Sequence, residues 1–235
     1  MTSQNSTQKP KQQGGFFGNL VFNIIIPVLV MSYLSSEEYL GPAWSVVVAL
    51  AFPLCFGLFD LKKTKKVNGF SVLGIISVLL TGGISLLKLP AEYMAIKEAA
   101  IPAIIGLAVL FTQFGHKPLV KMLILNDQII NWDKLNASLD EKQAHTDFNK
   151  KVAVSSYIVA SSFFLSSALN YGLAKYILVS EPGTTAYTEE LGRMTALSYP
   201  VIVVPSMVLL ITALIYLFKQ ISHCTGEPIE TFLNQ

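Results

Sequence analysis

The apolar residues of this chain arrive in blocks about as long as a bilayer is thick. An α-helix rises 1.5 Å per residue, so a hydrocarbon layer of about 30 Å is crossed by about 20 apolar residues in succession. "FFGNLVFNIIIPVLVMSYL" at 16–34 is one such block, and five more follow at 42–59, 70–87, 90–114, 152–179 and 198–218. The charge content agrees, because only 14% of residues are charged while 52% are hydrophobic, against about 25% charged in a soluble domain. The predicted fold class is all-α: a polytopic helical membrane bundle of six transmembrane helices, with a cytoplasmic amphipathic helix between the fourth and the fifth.

Around the membrane domain at 16–220, the polar stretch "MTSQNSTQKPKQQGG" at 1–15 reads as a disordered N-terminus and 221–235 as a tail. No cleavable signal pattern precedes the first block, which reads as a retained anchor. With the N-terminus in the cytoplasm, thirteen Lys and Arg residues fall inside and four outside or near it (Lys88, Lys97, Lys175 and Arg193). That bias is the direction the positive-inside rule requires, and it places both termini on the cytoplasmic side. The lysines are thereby accounted for, and no basic patch interleaved with aromatics points to nucleic acid.

The connection at 117–150 carries Leu125, Ile129, Trp132, Leu135 and Leu139 at spacings of 4, 3, 3 and 4, one face of a helix. That stripe predicts a helix lying on the cytoplasmic leaflet or docking a partner.

Chemistry is sparse. The sequence holds no nucleotide-binding loop, nucleophile elbow or HExxH, and its two cysteines and three histidines fit no metal spacing. The chain is therefore read as non-enzymatic, with no cofactor and no metal. What remains is polar residues inside the spans: Asn23, Lys97, Glu98 and Asn170. Pro27, Pro53, Pro102 and Pro205 are candidate kinks, since a proline cannot bond the carbonyl four residues earlier. "NIIIP" frees the carbonyl of Asn23 and "EAAIP" that of Glu98, a pattern shared by spans one and four. Paired interrupted helices in two three-helix halves point to a transporter site. Lys97 and Glu98, adjacent and about 100° apart around the helix, are expected to turn to different neighbours. In the fifth span Ser155, Ser156, Ser162, Ser166, Ser167 and Asn170 share an arc of about 140° at 100° per residue, a stripe for close packing or for a hydrated path. "LTGG" at 80–83 in the third span reads as a close-approach surface, and with the fifth span it allows a homodimer.

"NLVFNIIIPVLVMSYLS", "GPAWSVVVALAFPLCFGLFDL", "VNGFSVLGIISVLLTGGISLL" and "AIKEAAIPAIIGLAVL" resemble an uncharacterised family of six-helix proteins of gammaproteobacterial inner membranes, over about residues 16–220. A more distant likeness is to intracellular septation protein A, where a proline in the first span and a Phe-Gly-Lys-Pro-Leu run closing the fourth are similar to Pro27 and "FGHKPL" at 114–119; here His116 is inserted. The resemblance implies a role in cell-envelope integrity or division, exercised by binding envelope or division proteins from within the lipid bilayer. The alternative is a small-solute or lipid transporter with its site at kinked helices one and four.

Overall fold

The structure, a computed structural model, describes residues 18, 20–64, 69–115, 118–125 and 129–234. The expected disordered segment 1–15, the start of the first span at Phe16 and the start of the amphipathic segment at Lys117 lie outside these residues. Among the described residues the chain is helical: α1 (Val21–Tyr33), α2 (Gly41–Thr64), α3 (Gly69–Leu86), α4 (Ala91–Thr112), α5 (Leu119–Ile124), α6 (Trp132–Glu141), α7 (His145–Ile177), α8 (Thr185–Ser198) and α9 (Val204–Thr225), closed by a 3₁₀ turn at Ile229–Phe232. Extended backbone among the described residues pairs only at an antiparallel bridge between Ile130 and Leu233.

Among the described residues, four helical runs have the length and apolar composition to cross a membrane: Gly41–Phe59, Ala91–Thr112, His145–Ile177 and Thr185–Thr225. These correspond to expected spans two, four, five and six. Val21–Tyr33 and Val72–Leu86, within expected spans one and three, are shorter apolar helices. The run from Thr185 to Thr225 starts well before the expected boundary at 198, because α8 and α9 are joined through a π turn at Tyr199–Val203.

Proline explains both π turns among the described residues. Val21–Ile25 is wound so that the Ile26 N–H bonds the Val21 carbonyl, and Pro27 follows at once. In Tyr199–Val203 the Val204 N–H bonds the Tyr199 carbonyl, and Pro205 follows at once. A ring without an N–H breaks the regular ladder; widening the preceding turn keeps its amides bonded. Pro53 and Pro102 instead sit inside regular α-helix. The geometric counterpart of Pro27 is therefore Pro205 in the last helix, and the expected match between Pro27 and Pro102 stops at the sequence pattern.

The chain divides into two compact units. One comprises residues up to Leu89 together with Ser180–Ala196. In it α1 packs on α2 and α2 on α3, and Val30, Met31, Val46, Ala49, Ile84, Tyr187 and Leu191 are buried. Gly192 admits close approach, since a Cβ there would stand 2.9 Å from Ser32 Oγ and 3.1 Å from Met31 Cβ. In "LTGG" only Gly82 meets a neighbour, Leu50; a Cβ on Gly83 would touch nothing.

The other unit holds Pro90–Val179 and Leu197–Gln235. Its core runs without a break from membrane helices into a cap built by α5, α6 and the chain end. Val109, Val159 and Ala213 lie in it together with Val120, Leu125, Leu135, Leu139, Phe148, Leu217 and Phe232. Helices α4 and α7 are antiparallel: Glu92 meets Lys175, Ala99 meets Ser167 and Gly106 meets Phe163.

Candidate functional site

Three places carry polar or exposed groups that packing alone does not demand. The first is the Lys97–Glu98 pair on α4. Lys97 is 7% exposed, and its Nζ lies 2.6 Å from Glu98 Oε1. The expectation that these neighbours turn away from each other is corrected. The lysine stem is long enough to reach around the 100° between adjacent residues, and for a buried ammonium on an apolar helix the nearest carboxylate is the partner of choice. Pairing cancels the net charge that either group would carry into an apolar helix.

The polar stripe of α7 faces backbone. Ser167 Oγ donates to the Ala99 carbonyl at 2.8 Å, one residue past Glu98, whose carbonyl Pro102 leaves without its amide. Ser162 Oγ donates to the Ser206 carbonyl at 2.8 Å, just past Pro205. Hydroxyls of one helix thus tie it to the backbones of two others, the interhelical bonding that small polar residues supply between packed helices. Asn170 turns its amide back on its own helix, donating to the Ser166 carbonyl and hydroxyl. Asn23 is half-buried in the π turn of α1. Asn23 belongs to one unit and Lys97, Glu98 and Asn170 to the other.

The cap is the second place, and here the predicted stripe changes meaning. Leu125 closes α5, Ile129 lies in a turn, and Trp132 opens α6. One continuous helix does not carry the five residues, because Asn131 starts a new one: its side-chain oxygen accepts the Lys134 N–H at 3.1 Å, as an N-cap does. Leu125, Leu135 and Leu139 are fully buried in the unit's own core, while Ile129 remains exposed. Burial was legible in the spacing; what the face would be buried against was not.

No family model, curated protein or solved structure matches the chain.

The cap is tied at every edge. Ser138 Oγ donates to Glu227 Oε1 at 2.9 Å, and Asn131 N–H donates to the Phe232 carbonyl at 2.8 Å. His145 Nε2 lies 2.8 Å from Asp140 Oδ1. Lys121 donates to Asn149 Oδ1 at 3.0 Å and stands over the rings of Phe148 and Trp132 at 5.2 and 5.9 Å, a cation–π arrangement. Burial pushes the Lys121 ammonium below the ordinary lysine value. Outside this framework Met122 and Ile129 present exposed apolar side chains.

The third place was not announced by the sequence. A cleft of about 280 Å³ opens in the first unit, among the start of α2, the end of α3 and the start of α8, and Glu37, Lys88, Ser85 and Tyr187 line it. These residues lie in three separate stretches of sequence, at 37, at 85–88 and at 187, so only folding brings them together. The one local sign was "EEYLGP", a turn followed by Pro42 in the first turn of a helix, where proline is favoured.

Proposed function

We propose that this protein is a non-enzymatic integral protein of the bacterial inner membrane, serving cell-envelope integrity or division by holding a partner on its cap. The observation that carries this reading is that residues 118–125 and 129–144 and the chain end fold into a pinned cap with its own buried side chains. A simple connection between two membrane helices needs no such core. Exposed Met122 and Ile129 give a partner apolar purchase on that rigid surface. In the orientation of the lysine bias the cap faces the cytoplasm. The α7 serines, engaged with carbonyls of α4 and α9, fit a packing role in this reading.

A solute or lipid transporter is the second reading, favoured by Lys97 buried with Glu98 inside an apolar helix. Genetic complementation separates the two. A strain lacking the protein is expected to show an envelope or division defect rescued by wild type and by Glu98→Gln, and not by Met122→Asp combined with Ile129→Lys. Rescue by the cap variant together with failure of Glu98→Gln would overturn the partner reading in favour of transport.

A further inference from the structure

We propose that the cleft of the first unit binds a small zwitterion, an ammonium joined by a short chain to a phosphate or carboxylate. Glu37 and Lys88 both line it, carry opposite charges and are not paired with each other or with any described residue. A molecule bearing both charges completes both at once, whereas a simple anion or cation meets one attractive and one repulsive group. The start of α2, with Trp44 in its first turn, lines the same cleft. The Glu37 carboxylate lies against it, its Oε2 3.2 Å from where a Cβ on Gly41 would stand, an end of a helix that favours negative charge. The ammonium end of the ligand therefore goes to this side of the cleft and the anionic end to Lys88.

The inner wall supplies an independent observation. Ser85 and Tyr187 are 5% and 1% exposed, and the hydroxyl of each is buried without a hydrogen-bond partner. Buried polar groups are almost always bonded, and these two hydroxyls stand unbonded just behind the surface of the cleft. Lys88 is also held in place. It has φ +53° at the end of α3, and its stem lies across Gly183, where an added Cβ would come within 2.6 Å of Lys88 Cε. The cleft volume of about 280 Å³ suits a head group or a single small metabolite. In the orientation of the lysine bias it opens on the outer side, so a phospholipid head group and a free solute are both sources of this chemistry.

The test uses the full chain with Trp132→Phe, which leaves Trp44 on the cleft as the fluorescent reporter. In phosphatidylglycerol nanodiscs, O-phosphoethanolamine is expected to give a saturable change in Trp44 emission. Inorganic phosphate and ethanolamine should each bind at least tenfold more weakly. Glu37→Gln and Lys88→Gly should each weaken phosphoethanolamine at least tenfold, and Tyr187→Phe by a smaller factor. Glycine suits the left-handed conformation of residue 88, so Lys88→Gly tests the ammonium without threatening the fold. In phosphatidylethanolamine nanodiscs, an emission already at its saturated value assigns the site to the lipid head group; unchanged titration by the soluble probe assigns it to a free zwitterion. The proposal is overturned if neither probe nor lipid moves the signal, if phosphate alone binds as tightly, or if both charge variants bind like wild type.

Discussion

Gln143 stands where helices usually hand over to glycine. α6 closes with the Ala144 N–H on the Leu139 carbonyl and the Gln143 N–H on that of Asp140, a Schellman motif whose left-handed residue is Gln143 at φ +51°. Left-handed geometry costs a residue with a Cβ about 1–2 kcal/mol, and the added unfolded-state freedom of glycine costs about 0.5–1 kcal/mol. The first effect wins, so Gln143→Gly should stabilise the protein by about 0.5–1 kcal/mol, read as a raised denaturation midpoint. The Lys97–Glu98 pair gives the opposite sign. Glu98→Gln leaves a buried ammonium without its carboxylate, a loss of about 3 kcal/mol where the site stays dry. Because the Glu98 side chain is 25% exposed, water offsets part of that loss, and about 1–3 kcal/mol is expected in thermal unfolding. Lys97→Met with Glu98→Leu should recover most of it; a double variant as weak as Glu98→Gln would contradict a purely structural pair.

At the scale of elements, the α4–α7 seam shows what small residues were for. Gly106 lets the helices approach until a Cβ would sit 3.2 Å from Phe163 Cβ and 3.3 Å from the Phe164 ring. Gly106→Leu is therefore expected to cost about 1–3 kcal/mol by overpacking, visible as a lower thermal midpoint in detergent, while Gly83→Ala, with open space around it, should be neutral within about 0.5 kcal/mol. Sequence reading found the serine stripe of α7 but looked to the third span for close packing, and it passed over Gly106 and Gly192. A glycine looks the same in a sequence whether its missing Cβ faces a ring or empty space. Proline was half legible in the same way. The sequence shows which amide is missing; whether the chain answers with a π turn, as before Pro27 and Pro205, or keeps regular helix, as around Pro53 and Pro102, depends on what packs there.

At the scale of the molecule, the cap is held by its last residues. Phe232 is 1% exposed, in one core with Leu135, Leu139 and Phe148. Phe232→Ala should cost about 3–5 kcal/mol and open the cap before the membrane helices, so limited proteolysis is expected to cut between 118 and 144 in the variant and not in wild type. Sequence alone determined the helical class and the apolar blocks long enough to cross a membrane, because those follow from local periodicity and block length. It also marked Leu125, Leu135 and Leu139 for burial. Only the tertiary structure decided that they are buried by their own chain rather than by lipid or a partner. It decided as well that Lys97 and Glu98 pair with each other, and that Glu37, Ser85, Lys88 and Tyr187 share a cleft. The physical reason is that periodicity records which face of an element avoids water, while the partner of that face is chosen by contacts between residues far apart in the chain.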